Sequence, residues 1–207
     1  MSFVITSYFT IDNGYAEAAH SYILSSLNNI IPKVKSDVRG IVSRGNWGLN
    51  TSYKPEFIKT MLEHHKEDNI IFVDADSEIL SYPSLFENIP EEYIIGAYEL
   101  DRKKWYGRDY SENECFELLS GTLFIRNCLQ SKDIVDEWIK RCRDNSKVWE
   151  QKVLQQIIKE RDIKVYKLPM EYCRILTLPN GDAPLLECKS PVVVHHQISR
   201  KLKHSIR

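Results

Sequence analysis

The sequence predicts an α/β protein, built as one domain with helices on the faces of a mainly parallel central sheet. Short runs of apolar, β-branched residues at 3–9, 38–42 and 70–73 are typical of buried strands. Stretches with helical spacing of apolar residues at 15–27 and 54–66 separate them. Strands that alternate with helices of this length indicate parallel pairing. A chain of 207 residues is long enough for one domain with a sizeable core.

The second half of the chain continues this pattern less regularly. Segment 99–114 is long, polar and aromatic, and a loop of that size in a compact domain is usually functional. Another loop, with two glycines, is expected at 43–50. Ser131 is expected to cap a helix, because serine is favoured at that position. The remaining predicted elements are strands at 94–98, 118–126, 164–167 and 191–196 and helices at 131–139 and 149–158.

Composition excludes several classes of protein. The chain has 28 basic and 29 acidic residues and a net charge of −1, so no global field attracts nucleic acid or an anionic membrane. Its five cysteines are scattered without a Cys-x-x-Cys pair, which argues against a disulfide framework and a structural zinc site. No apolar run approaches the roughly 18 residues of a membrane span, and the first residues lack a basic leader pattern. We therefore expect a cytoplasmic protein.

The stretch Asp74-Ala75-Asp76 is the most informative in the sequence. It directly follows the apolar strand at 70–73, and ligands of such sheets bind at the carboxyl ends of the strands. Side chains two residues apart in an extended chain point to the same side, so both carboxylates can face one cation. Carboxylate oxygens suit Mg²⁺ or Mn²⁺. The alternative is that both aspartates only solubilise the end of a strand.

His195 and His196 end another predicted strand. An imidazole beside two carboxylates favours Mn²⁺ over Mg²⁺, so either histidine is a candidate third ligand to the aspartates. The alternative for each is a neutral histidine in a hydrogen-bonded niche. Lys201 is six residues beyond His195 and can offer a phosphate oxygen a point charge, whereas the rest of the basic tail is typical of a solvated end.

Two further sites are candidates for a sugar pocket. Gly121 follows Ser120 in a predicted strand, where a glycine lets the backbone approach a ligand closely. Glu150 and Gln151 lie at the start of the second helix of a predicted helical cover. The alternatives are relief of crowding in the strand and a polar helix face.

Taken together, these motifs resemble the GT-A fold glycosyltransferases that use nucleotide sugars, a Rossmann-like architecture of nucleotide-diphospho-sugar transferases. Similarity is greatest to the retaining group that contains plant xyloglucan xylosyltransferases and fungal α-galactosyltransferases, and to small viral relatives. The most specific part is Gly121 to Cys128 followed by the Ser131-x-Asp133-x-x-Asp136-x-Trp138 pattern. The resemblance also includes residues 72–76, 149–154, 168–169 and 194–201.

The resemblance implies a metal-dependent enzyme that moves a sugar from a nucleotide-sugar donor, with UDP as the expected nucleotide, to an acceptor hydroxyl with retention. Mn²⁺ or Mg²⁺ is the implied cofactor. Asp76 would bind the metal directly, and Asp74 would bind the metal or the donor ribose. His195 would complete the metal site, with His196 as the alternative.

The resemblance also implies roles around the donor. Thr6 and Tyr8 would hold the nucleotide base, Lys201 the diphosphate, and Gly121 with Thr122 the donor sugar. Relatives often have an Asp-Gln pair near the anomeric carbon, and here that pair is Glu150-Gln151. Gln151 keeps the match, and Glu150 changes the carboxylate. The expected catalytic residues are therefore Gln151, Glu150 and Asp74.

We expect residues 1–98 to form the nucleotide-binding half, 99–198 the acceptor and sugar-side half, and 199–207 a basic tail. A glycan is the expected acceptor, and a modified nucleobase in DNA is the alternative. Acceptor contacts are expected from the aromatic, basic loop 102–108. Many relatives carry an amino-terminal membrane anchor that this sequence lacks, which also favours the cytoplasm.

Three other functions compete with this hypothesis. A haloacid-dehalogenase-like phosphatase also uses a strand-end Asp-x-Asp, but on the first strand and with Thr or Val where this chain has Glu78. A sugar-1-phosphate nucleotidyltransferase needs a glycine-rich loop after the first strand, and residues 8–15 contain only Gly14. The third is a non-catalytic relative that binds a nucleotide or glycan.

Overall fold

The computed structural model of the protein describes residues 2–29, 34–111, 114–145, 147–178, 181, 184 and 186–202. Its strands are β1 (Phe3–Thr10), β2 (Ser36–Ile41), β3 (Asn69–Val73), β4 (Ser77–Ile79), β5 (Ile95–Asp101), β6 (Phe116–Ile125), β7 (Val165–Lys167), β8 (Arg174–Ile175) and β9 (Val193–His195). Its α-helices are α1 (Tyr15–Ala19), α2 (Ser25–Asn29), α3 (Trp47–Ser52), α4 (Lys54–His64), α5 (Arg102–Tyr106), α6 (Leu129–Asp144), α7 (Glu150–Glu160) and α8 (Ser199–Leu202). A π-helical turn, His20–Leu24, joins α1 to α2.

Within these ranges the central sheet has six strands in the order β2-β1-β3-β6-β5-β7. β1 pairs in parallel with β2 and β3, and β7 pairs in parallel with β5. β6 is antiparallel to both of its neighbours, β3 and β5. The predicted α/β class with a mostly parallel central sheet is confirmed.

Strand β3 is buried on both faces, which explains its unbroken apolar sequence. Ile70 and Phe72 pack into the cluster formed with helices α4, α6 and α7. Ile71 and Val73 point to the other face and pack with residues of β1 and of the α1–α2 region. Full burial of each large apolar side chain contributes about 1.5–3 kcal/mol. The strand that carries Asp74 is therefore fixed from two sides.

A small second sheet, in the order β4-β9-β8, lies beside the central one. In it, Ser77 of β4 pairs with His195 of β9 in antiparallel register. The strand predicted at 191–196 is shorter in the structure, where β9 covers only residues 193–195. It belongs to this small sheet and not to the central one. This pairing brings His195 next to Asp76.

Two local expectations were wrong. Residues 47–52 form α3 rather than a loop, because the Asn46 side chain accepts a hydrogen bond from the Leu49 N–H at 3.0 Å and starts the helix. Ser131 is not the cap of α6. Cys128 holds that position, and the Ser131 hydroxyl accepts a hydrogen bond from its N–H at 3.3 Å.

The predicted loop at 99–114 contains the end of β5 and α5, and its residues 112–113 lie outside the described ranges. The basic tail begins with α8, and residues 203–207 also lie outside the described ranges. None of the described helices combines the length and apolar composition that crossing a membrane requires.

Candidate active site

A cavity of about 820 Å³ opens where β1 and β3 end. Tyr8 and Thr10 from β1 line it, and so do Asp74 and Asp76, which follow β3. This is the edge at which α/β sheets bind their ligands. Of the other candidate residues from the sequence, the cavity wall also contains Gly121, Glu150, Gln151 and His195, together with Arg102, Tyr106 and Arg108 of the predicted acceptor loop.

Asp76 is the more deeply buried of the two aspartates. One of its carboxylate oxygens accepts a hydrogen bond from the Ile198 N–H at 2.7 Å, and its carbonyl accepts one from the His196 N–H at 3.0 Å. The Asp74 side chain is 37 % exposed, and its N–H donates to the Gly121 carbonyl at 2.8 Å. Burial raises the pKa of Asp76 despite the hydrogen bond from Ile198. Both carboxylates would gain from a nearby cation.

The structure brings His195 to these carboxylates. Ligand atoms of Asp74, Asp76 and His195 all lie within 4.8 Å of one another. His195 is 1 % exposed, and burial lowers its pKa to about 3, with the ammonium of Lys54 acting in the same direction. A neutral imidazole is the form that binds metals.

Both ring nitrogens of His195 contact hydroxyl groups. Nδ1 lies 2.8 Å from the Ser77 Oγ, and Nε2 lies 2.9 Å from the Thr122 Oγ1. Two carboxylates and a neutral imidazole are a donor set that fits Mn²⁺, provided that one ring nitrogen exchanges its hydroxyl for the ion. The Thr122 side chain contacts His195. It is fully buried and does not line the cavity.

His196 lies apart from this cluster. Its ring stacks on Tyr22 with 3.8 Å between ring centroids, and its Nε2 lies 3.1 Å from the Glu78 carboxylate. His196 therefore joins the end of β9 to the α1–α2 region. Of the two candidate histidines, His195 is the one whose side chain meets the aspartates.

A buried lysine links the two carboxylate-bearing parts of the cavity. The Lys54 Nζ lies 3.1 Å from an Asp74 oxygen and 2.8 Å from a Glu150 oxygen, and it donates to the Ser120 hydroxyl at 3.0 Å. Burial alone would lower the pKa of Lys54, but the carboxylates of Asp74 and Glu150 raise it above its usual value. The side chain therefore stays charged.

Glu150 and Gln151 are held firmly at the start of α7. The Ser120 hydroxyl donates to the Glu150 carboxylate at 2.8 Å, and the buried Trp138 indole donates to the Glu150 carbonyl at 2.8 Å. The Gln151 side-chain oxygen accepts from the Ser120 N–H at 2.9 Å, while its amide donates to Glu117 at 2.9 Å. These contacts hold the pair in place at the cavity wall.

The structure places the remaining candidates less simply. Tyr8 lines the cavity and donates to the Asn50 carbonyl at 2.8 Å, whereas Thr6 is fully buried inside β1 and does not line the cavity. Lys201 is exposed and does not belong to the cavity wall, but its neighbour Arg200 does. Burial lowers the pKa of Arg200, which still leaves a guanidinium that is charged at neutral pH.

Sequence reasoning missed Lys54. The helix predicted at 54–66 does begin at Lys54, but nothing in the helical pattern assigns the lysine itself to the site. A lysine in the first helical turn works against the helix dipole, and this was a signal that a nearby negative charge compensates it.

Gly121 determines how closely strand β6 approaches the side chains of Asp74 and His195. A β-carbon at this position would lie 2.8 Å from His195 Cε1 and 3.1 Å from the nearer Asp74 oxygen. We expect Gly121→Ala to displace His195 and to weaken Mn²⁺ binding by about 10–100-fold, as loss of supporting contacts does at other metal sites. Isothermal titration with MnCl₂ measures this. Gly96→Ala, which would meet the Phe124 Cβ at 3.1 Å in the same sheet, is the matched control, and equal losses in the two variants would contradict the prediction.

A second group of donors, Asp37, His64 and His65, lies where β2 begins and α4 ends, and none of the three lines the cavity. The Asp37 carboxylate already has partners in the protein. Arg39 donates two hydrogen bonds to it, of 2.8 and 2.7 Å, and His65 Nε2 lies 3.0 Å from one of its oxygens. The guanidinium adds a positive charge that opposes a metal cation.

These contacts predict a pH dependence. Arg39 holds the pKa of Asp37 at about 2, below its usual value, so the ionised side chain stabilises the fold above about pH 4. This contribution is lost as the pH falls from about 4 towards 2. We expect Asp37→Asn to lower the urea midpoint at pH 6 and the difference from wild type to shrink towards pH 2. A difference that is constant with pH would contradict this assignment.

Comparison with solved structures identifies the fold as that of GT-A glycosyltransferases. One similar structure is a glycosyltransferase involved in the glycosylation of the major capsid of PBCV-1, with a TM-score of 0.67, 13 % identity, and coverage of 99 % of this chain and 98 % of that chain. Another is mouse xyloside xylosyltransferase 1, with a TM-score of 0.60, 11 % identity, and coverage of 97 % and 99 %. The galactosyltransferase LgtC, solved with donor and acceptor sugar analogues, gives a TM-score of 0.57, 13 % identity, and coverage of 94 % and 87 %.

The chain belongs to the nucleotide-diphospho-sugar transferase family, whose model matches residues 54–204. That range includes Lys54, both aspartates, the Glu150-Gln151 pair and His195. Among curated proteins, none has a sequence that matches this chain significantly. The prediction of a glycosyltransferase is confirmed, and the competing phosphatase and nucleotidyltransferase hypotheses find no support.

Proposed function

We propose that the protein is a metal-dependent enzyme that transfers a sugar from a UDP-sugar to a hydroxyl group of a glycan, with retention at the anomeric carbon. The observation that carries this proposal is the meeting of Asp74, Asp76 and His195 at the wall of one cavity. GT-A nucleotide-sugar transferases typically use a divalent metal ion and a nucleotide-sugar donor.

In this proposal Asp76 and His195 would hold the cation, and Asp74 would interact with both the cation and Lys54. A divalent ion bound there offsets the negative charge that grows on the departing diphosphate. Mn²⁺ is the preferred ion because imidazole is a better ligand for it than for Mg²⁺. Arg200, which lines the cavity, is the cation proposed to meet the diphosphate from the carboxyl-terminal side, in place of the exposed Lys201.

The donor's other parts follow from the same placement. Tyr8 is proposed to contact the base, and Gly121 to let the donor sugar approach the backbone of β6. Glu150 and Gln151 are proposed to face the anomeric carbon. The Glu150 carboxylate carries an ion pair with Lys54, which favours an electrostatic role over that of a free base. The bond between the anomeric carbon and the diphosphate oxygen breaks, and the acceptor oxygen bonds to the anomeric carbon on the same face. The departing phosphate oxygen takes the proton of the acceptor hydroxyl.

The glycan acceptor fits the family, whereas a nucleobase in DNA finds no support from the comparisons or from the balanced charge of the chain. Residues 1–98 remain our proposed nucleotide-binding half, and residues 99–198 our proposed acceptor and sugar-side half. The cytoplasm remains our prediction for the location.

A donor panel tests the proposal. Purified protein with MnCl₂ is supplied with UDP-, GDP- and ADP-linked hexoses and pentoses and with methyl glycosides as acceptors, and release of nucleoside diphosphate is measured with and without EDTA. We expect release from a UDP-sugar that EDTA abolishes, and an α-linked product by NMR. Preference for another nucleotide would overturn the UDP assignment, and a β-linked product would overturn retention. UDP binding without any turnover would favour the non-catalytic alternative.

A further inference from the structure

Two tryptophans, the exposed Trp149 and the half-buried Trp47, form an aromatic surface at the rim of the cavity, and the Lys152 Nζ lies over the Trp149 ring at 5.5 Å from its centroid. Trp149 is 53 % exposed, although large aromatic side chains are usually well buried. Its ring centroid lies 6.1 Å from that of Trp47, and the two planes are inclined at 82°. Both side chains line the cavity. We call Trp47 and Trp149 the tryptophan corner.

The tryptophan corner is joined to the reacting end of the site. Trp149 immediately precedes Glu150, whose carboxylate binds the same Lys54 that binds Asp74. Trp47 begins α3, and the Tyr8 hydroxyl donates to the carbonyl of Asn50 in that helix. Both tryptophans are therefore attached to residues that line the donor cavity, and neither is on a distant surface.

The donor diphosphate and the second substrate are expected in different parts of the cavity. Asp76 and His195 lie at its buried base, where the diphosphate belongs. The second substrate must arrive from solvent, and the exposed part of the rim beside Glu150 and Gln151 is where it meets the anomeric carbon. Aromatic faces pack well against the apolar C–H faces of sugar rings, while ring hydroxyls stay in water or meet polar neighbours.

We propose that the tryptophan corner is the acceptor subsite and that it binds the apolar face of an uncharged pyranose ring. This inference rests on the proposed function for its donor, but it assigns the acceptor to Trp47 and Trp149 rather than to the basic segment 102–108. One ring supplies a face to stack against, and the perpendicular ring closes the side. The terminal sugar of the acceptor then lies next to Glu150 and Gln151.

Equilibrium binding tests this separately from turnover. Methyl α- and β-glycosides of glucose, galactose and xylose, and UDP, are titrated in the presence of Mg²⁺ and followed by saturation-transfer NMR. The proteins are the wild type, Trp149→Ala, Trp47→Ala and Trp149→Tyr. Tyr82→Ala is the matched control, because Tyr82 is 46 % exposed and does not line the cavity.

We expect at least one glycoside to bind the wild type and Tyr82→Ala equally, and to bind each Trp→Ala variant at least about fivefold more weakly, as loss of a stacking contact implies. Trp149→Tyr should retain most of the affinity, and UDP affinity should stay within about twofold. The inference is overturned if no glycoside binds the wild type, if the Trp→Ala variants bind as tightly as it does, or if UDP affinity falls in parallel. Failure of the proposed function would appear instead as a wild type that neither binds UDP nor releases it from any donor.

Discussion

Asp76→Asn is expected to lower the rate of UDP release from the preferred donor by about a hundredfold or more. A bound metal supplies several kcal/mol to the stabilisation of a departing diphosphate, and each 1.36 kcal/mol is a factor of ten in rate. Asparagine has the same shape and can still accept the hydrogen bond that the Ile198 N–H gives to Asp76. The loss should therefore come from the weakened cation site and not from unfolding.

The control for this variant is the second donor cluster. His64→Ala removes a potential ligand from the group of Asp37, His64 and His65, and it should leave the Mn²⁺ dependence of the rate unchanged. Initial rates as a function of MnCl₂ concentration, together with melting temperatures, separate the two effects. Wild-type rates in Asp76→Asn, or a loss confined to His64→Ala, would contradict the assignment of the metal site.

Lys54→Met is expected to reduce both stability and activity. Removal of one partner from a buried ion pair costs about 3–5 kcal/mol, because the remaining charges are left uncompensated. Here the lysine lies between Asp74 and Glu150, so two carboxylates lose their partner at once. Urea unfolding measures the loss of stability, and the rate of donor turnover measures how the loss of its lysine partner affects the function of Asp74.

A double-mutant cycle isolates the ion pair from the packing of the lysine chain. Glu150→Gln keeps the shape and the hydrogen-bonding capacity towards Ser120 while it removes one charge. The double variant Lys54→Met/Glu150→Gln should recover part of the stability lost in Lys54→Met, with a coupling energy of about 0.5–3 kcal/mol. Strictly additive losses would show that the two side chains do not interact as the structure describes.

The sequence predicted the part of the site that depends on β3. Four consecutive apolar residues require burial on both faces, and a strand of that kind ends at the ligand-binding edge of an α/β sheet. The position of Asp74 and Asp76 follows from these two rules alone. The resemblance then supplied His195 as the third ligand, which the structure brings to the same place.

The sequence could not predict contacts that depend on long-range register. The nearness of His195 to Asp76 depends on the pairing of Ser77 with His195, two short strands separated by more than a hundred residues. Likewise, Lys54 meets Glu150 only after α4 and α7 are packed. Gln197, just before α8, has a left-handed φ of 56°, which is uncommon for a residue other than glycine. The spacing of residues in the sequence therefore does not predict that Arg200, and not Lys201, lines the cavity.

A crystal structure with UDP and MnCl₂, measured at a wavelength that gives anomalous signal from manganese, tests the central claim most directly. The account predicts an anomalous peak within roughly 2.0–2.6 Å of an Asp76 oxygen and a His195 nitrogen, with the diphosphate of UDP on its open side. A manganese peak at Asp37, His64 and His65 alone, or UDP bound in the cavity without a peak between Asp76 and His195, would contradict it.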